Sequence, residues 1–166
     1  MTVIIQPGYL GTEVALDHPR LCWRKQTGTI AWSSGPLGSG GLQAYDEDLI
    51  SAWRPAVVPA DWQIDFPGTA PISYVGIGAH TIGSSGATIK LQVFDGTWQD
   101  IPGTEISPTD DEAILYLLAP QDMDRLRVRM TVEIAEIGYI LTGLATEIPR
   151  MAQFTGLPIS ESQQVR

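Results

Sequence analysis

The chain has 166 residues, 43% of them hydrophobic, which is about one domain with an ordinary core. Its 10 Lys+Arg against 19 Asp+Glu give a formal charge of −9, which excludes the basic footprint that nucleic acid or an anionic membrane surface requires. A single cysteine, Cys22, excludes an intramolecular disulfide, and 17 glycines with 12 prolines point to many turns rather than long helices.

The N-terminal run Thr2 to Leu10 is apolar in part. It lacks the basic region and the length of a signal peptide, so synthesis and folding in a reducing cytoplasm are expected. No apolar segment reaches the length that spans a bilayer. Residues 1–41 form an N-terminal arm with two strand-like pieces, Leu21–Arg24 and Thr29–Ser33, and the Lys25–Gly28 stretch between them predicts a hairpin. Ser33 to Gly41 is rich in Gly, Ser and Pro and reads as a connector or long loop. Ala44–Trp53 could form a turn or two of helix, with Asp46 placed to cap it.

Residues 42–148 carry the clearest signal. They hold about six short apolar segments: Asp61–Phe66, Ile72–Ile82, Ala87–Gly96, Ala113–Ala119, Arg125–Val132 and Ile137–Leu144. Gly, Pro or Asp punctuates nearly every interval. Short strands at regular spacing predict an all-β sandwich or barrel.

Alternation assigns faces within each strand. Trp62, Ile64 and Phe66 point one way, Gln63 and Asp65 the other; Ile89, Leu91 and Val93 point inward, Lys90, Gln92 and Phe94 outward. Leu126, Val128, Met130 and Val132 share a face opposite Arg125, Arg127, Arg129 and Thr131. The arginine stripe reads first as a solvated face paired with local carboxylates; an anionic ligand or an acidic neighbouring subunit is the alternative. Ile137–Leu144 is apolar on both faces, as expected of a central strand or one covered by an arm or subunit. From Pro149 the chain loses periodicity and ends polar, so 149–166 reads as a C-terminal arm, with Phe154 its aromatic candidate for a partner contact.

Little here suggests catalysis. His18 and His80 lie far apart, which leaves few ingredients for a nucleophilic triad or a zinc site. His80 follows a strand and reads as a rim or core residue. Asp110, Asp111 and Glu112 are adjacent carboxylates on a loop, better read as solvated than as a glycosidase pair. No cofactor is implied.

Taken in order, several motifs resemble the discoidin-like (galactose-binding-like) jelly-roll family. They are Ala44-Tyr45-Asp46, Ser51-Ala52-Trp53-Arg54-Pro55, Trp62 to Phe66, Val75-Gly76-Ile77, Asp95-Gly96-Thr97-Trp98, Arg125 to Arg129, and Ile137-Gly138-Tyr139-Ile140. The resemblance covers 42–148 and implies a two-layered sandwich. Trp53 would plug one end, Trp62 would open the first core strand, and Trp98 would pack after a tight Asp95-Gly96 turn, all three read as core. Family members bind glycans, lipids or calcium through end loops. Asp46, Glu47 and Asp48 are the one acidic run near the first motif, so calcium there is the weaker reading.

The flanks resemble, in organisation, virion proteins of tailed bacteriophages: Tyr9-Leu10-Gly11 and Ala15 to Arg20 precede the sandwich, and a polar arm follows it. The leading expectation is therefore a noncatalytic, tail-associated structural protein, located in the virion and assembled in the host cytoplasm. Its partners would be other virion proteins and copies of itself in a homo-oligomeric ring, joined by arms that order on docking. The alternative is a carbohydrate-binding module for a host-surface glycan. Candidate partner-binding residues are Arg125, Arg127, Arg129, Tyr45, Trp98 and Phe154, with Trp32, Tyr45 and Trp98 as the candidates for sugar stacking.

Overall fold

The computed structural model describes residues 2–7, 20–34, 40–46, 48, 50–109 and 112–147. Eight strands dominate it: β1 (Thr2–Pro7), β2 (Arg20–Lys25), β3 (Thr29–Trp32), β4 (Ala60–His80), β5 (Thr88–Asp95), β6 (Thr97–Asp100), β7 (Glu112–Thr131) and β8 (Ile137–Glu147). A 3-10 turn at Gly41–Ala44 and a one-turn helix, α1 (Ile82–Ser85), are the helical pieces among the described residues.

Two very long strands organise everything. β4 and β7 run antiparallel in two stretches, Ala60–Asp65 against Arg125–Met130 and Ala70–Ile77 against Ile114–Met123. Between the stretches, Phe66, Pro67, Gly68 and Thr69 on β4 oppose only Asp124 on β7. Such a bulge bends both strands sharply, and Gly68 supplies the φ of +94° that the corner needs. On one side of the corner the order is β3-β4-β7-β5-β6; on the other it is β2-β8-β4-β7-β1. The strands thus curl into the two layers of the expected jelly-roll sandwich, sharing β4 and β7. β1 joins β7 in parallel, while the other pairings are antiparallel.

One core fills the space between the layers. Trp62, Ile64 and Phe66 of β4, Ile89 and Leu91 of β5, and Leu126, Val128 and Met130 of β7 supply one layer. Ile72, Val75 and Ile77 of β4, Ile114, Tyr116 and Leu118 of β7, and Ile140 of β8 supply the other. A second register shift between Ile72 and Tyr74 explains why the inward phase moves from Ile72 to Val75 rather than to Tyr74. Burial of each such side chain contributes about 1.5–3 kcal/mol. Trp53 closes an end of the sandwich as expected, fully buried, with its backbone paired to Ile137 and its indole N–H donated to Ser34 O at 3.2 Å. The Trp62 indole N–H donates to Gly41 O at 2.8 Å. β8 is a central strand, flanked by β2 and β4, which accounts for its two apolar faces.

Several expectations are corrected. β2 and β3 form no hairpin with each other: β2 pairs β8 and β3 pairs β4, so the chain crosses between layers at Gln26–Gly28. Gly28 makes that crossing possible, because a Cβ there would lie 2.6 Å from Asp65 O. Among the described residues of Ala44–Trp53 no helix extends beyond the 3-10 turn; the Asp46 carboxylate accepts instead from the Asp48 N–H at 3.0 Å. Val132 leaves the apolar face of β7, being 66% exposed with φ of +71° just past the strand. Asp61–Phe66 and Ile72–His80 are one strand, not two, with Ile82 already in α1; Ala113–Ala119 and Arg125–Thr131 are likewise one strand. The C-terminal arm, Phe154 and the acidic pair Asp110-Asp111 lie outside the described residues.

Candidate functional site

The outer face of the β3-β4-β7-β5-β6 layer carries the arginine stripe. Register places Asp61, Arg129 and Lys90 in one row and Gln63, Arg127, Gln92 and Asp100 in the next. Asp61 Oδ2 lies 3.3 Å from Arg127 Nη1 and 3.6 Å from Arg129 Nη1, so one carboxylate serves two guanidinium groups. Arg127 Nε also donates to Gln92, whose amide donates in turn to Asp100. Lys90 Nζ completes the network at 2.7 Å from Asp100 Oδ2. That lysine's hydrogen bond holds the Asp100 carboxyl below the usual carboxylate range, with Gln92 adding to the effect. Burial lowers the Arg127 pKa, against the pull of Asp61. Local carboxylates therefore engage Arg127 and Arg129, which is the first reading of the stripe.

Arg125 behaves differently. Among the described residues it makes no ion pair; its guanidinium lies 4.6 Å over the Phe94 ring, as that of Arg127 lies 4.2 Å over Trp98. Phe94 and Trp98 face each other across the β5–β6 hairpin, edge to face at 5.4 Å. Trp98 is accordingly a half-buried residue of the outer surface and not part of the core, a correction to its sequence reading. The tight Asp95-Gly96 turn is present, with Gly96 at φ of +67°.

Beside this hairpin, at the bend of β4 and β7, opens a cleft of about 700 Å³. Its hairpin side is formed by Phe94, Asp95, Gln99 and Asp100, and its strand side by Thr69, Gln121, Asp122 and Asp124. The volume is that of a small-molecule site. Asp100 is engaged by Lys90 and Gln92, and Gln99 donates to the Thr97 hydroxyl at 2.7 Å. The carboxylates of Asp95, Asp122 and Asp124 have no hydrogen-bond or ion-pair partner among the described residues. Carboxylates and amides around one aromatic ring can hold vicinal hydroxyl groups while the ring meets an apolar C–H face. Among the described residues no group of His, Cys, Asp and Glu has the arrangement to hold a metal ion.

The structure scatters the sequence-derived aromatic candidates. Trp32, 39% exposed, lies on β3, and Trp98 lies on β6, at opposite edges of the same layer. Tyr45 is pinned: Lys25 Nζ sits 3.7 Å over its ring, and its hydroxyl donates to Gln26 O at 3.0 Å. Arg125 and Trp98 do come together, through Phe94. Sequence reasoning missed Gln121, Asp122 and Asp124, which fall in the interval between two recognised strands. Their one signal was a short polar run between apolar runs, indistinguishable from a turn.

No family model matches the chain, and no curated protein matches it. Solved structures do. A pectin-binding carbohydrate-binding module aligns with a TM-score of 0.61 at 16% identity, covering 73% of this chain and 93% of that one. The second chitosan-binding module of a chitosanase/glucanase from Paenibacillus sp. IK-5, solved with chitotriose, aligns with a TM-score of 0.58 at 16% identity, over 72% of this chain and 98% of that one. The family 32 module of Clostridium perfringens NanJ, solved with galactose, gives 0.57 at 12% identity, over 71% and 93%. The fold is thus the discoidin-like, galactose-binding-like jelly-roll sandwich, shared with these three modules.

Proposed function

We propose that this protein is a noncatalytic carbohydrate-binding module whose ligand enters the cleft beside the β5–β6 hairpin. One observation carries the reading: a cleft of about 700 Å³ unites an aromatic ring, two amides and carboxylates that have no partner among the described residues. The likeness in fold to modules that bind pectin, chitosan and galactose supports it. Phe94 supplies the apolar wall, Gln121 and Asp122 the polar contacts from β7, and Asp95 the contact from the hairpin tip. A glycan array followed by NMR titration of the labelled protein tests this. Shifts should gather on Phe94, Asp95, Gln121 and Asp122, and Phe94→Ala should weaken binding about tenfold, the worth of one aromatic contact. Silence across the array would remove the reading; shifts gathered at Trp32 would move the site.

A second proposal keeps the virion setting, with the sandwich as a tail-associated subunit. It is supported by β1, an N-terminal strand laid in parallel along the outer edge of β7. Strand addition at a sheet edge is a general way for an arm to fasten a subunit. Light scattering tests it: a mass of one chain at every concentration, before and after removal of residues 1–19, counts against self-assembly through that arm.

A further inference from the structure

The cleft's chemistry narrows its ligand. Resting on the glycan-binding reading above, we propose that the cleft selects sugars bearing protonated amines, as in polymers of glucosamine, over neutral sugars and polyuronates. The cavity and its Phe94 wall define the site, and the distribution of charge around it sets the preference.

Among the described residues, three of the four cations near the cleft are paired: Lys90 with Asp100, approaching Glu105 at 3.9 Å, and Arg127 and Arg129 with Asp61. Arg125, over Phe94, sets one positive charge against the three carboxylates of the opening. The carboxylates of Asp95, Asp122 and Asp124 are left without partners among the described residues. They come from both sides of the opening, Asp95 from the turn between β5 and β6, Asp122 and Asp124 from alternate positions of β7. Alternate residues on a strand share a face, so these last two present their charge together.

A carboxylate meeting an ammonium forms a charge-assisted hydrogen bond, roughly twice as strong as one to a neutral hydroxyl. A uronate in the same position brings like charges together, in a chain that already carries a net −9. A bare metal ion is a poor alternative, because the described carboxylates do not form a metal-holding group. The apolar wall of Phe94 suits a sugar ring.

Isothermal titration of the full chain at low salt tests this with four probes: a glucosamine oligomer, its fully N-acetylated counterpart, an oligogalacturonate and an oligolysine. The glucosamine oligomer should bind about tenfold more tightly than the acetylated one, as expected for a few partly screened charge contacts. That margin should collapse as salt rises, and also in the double variant Asp122→Asn, Asp124→Asn. Oligogalacturonate should not bind. Equal affinity for the acetylated and free-amine oligomers overturns the selectivity and leaves the glycan reading standing. Oligolysine binding as tightly as the amino sugar, with Phe94→Ala without effect, also overturns it, because the site would then be a general cation trap. Absence of binding to all three sugars overturns both.

Discussion

Tyr74 links stability to pH through a single hydroxyl. Its O–H donates to Arg24 O at 3.1 Å, and burial, with a smaller contribution from Cys22, pushes its pKa up to about 12 from an ordinary 10.0. A raised phenol pKa means the folded state keeps a proton that the unfolded state has lost. Stability is therefore whole below pH 10 and falls as pH rises toward 12, at about 1.4 kcal/mol per pH unit for each such group. Tyr116, buried with its hydroxyl donated to Thr104 O, is raised as well and adds to the slope. Tyr74→Phe should remove one of the two contributions, so urea midpoints between pH 10 and 12 should fall less steeply than in the parent. An unchanged slope would show that the phenol is not protected. At this scale the strand faces were legible: Trp62, Ile64, Leu126 and Val128 sit where a period of two puts them. Trp98 and Tyr45 were not, because an aromatic side chain suits core and surface alike, and the cations over these rings come from strands distant in sequence.

Among the elements, the bend in β4 is the most informative. Pro67 and Gly68 look in sequence like a turn ending one strand and starting another, and they prove to be a corner inside a single strand. A turn and a corner need the same local chemistry, so sequence cannot separate them; only pairing with β7 on both sides does. The cleft was illegible for the same reason, since Gln121 to Asp124 line it only because β7 continues through its own bend. Two glycines should respond differently to a methyl group. At Gly68 no atom lies within 4 Å of a new Cβ, so Gly68→Ala should cost only the backbone strain of its positive φ, about 1–2 kcal/mol. At Gly143 a Cβ would sit 1.9 Å from Arg24 O, so Gly143→Ala must push β2 away from β8 and should cost more, about 3 kcal/mol. Denaturant titrations of the two variants check the order, and the reverse ranking would contradict the close approach of β2.

Across the whole molecule, β4 and β7 belong to both layers, and one core joins them. Neither layer can keep its central strands when the other is lost, which predicts a single cooperative transition. Indole fluorescence, to which buried Trp53 and Trp62 contribute, and far-ultraviolet circular dichroism should report the same midpoint. Two separated midpoints would show that the layers melt independently. The sandwich class was readable from strand spacing because many short apolar runs exclude most other architectures. Which strand joins which layer was not readable, since β2 and β3, close in sequence, diverge to different layers.

The β5–β6 hairpin is paired with the rest of the sheet through β5 alone, with Trp98 under Arg127 as a side-chain contact to β7, and β6 is an outermost strand of four mostly exposed residues. The tip at Asp95 and Gly96 can therefore be exchanged with little consequence for folding, while one wall of the cleft changes with it. Retargeting this scaffold to a different sugar should start there, by grafting new tips onto an unaltered body.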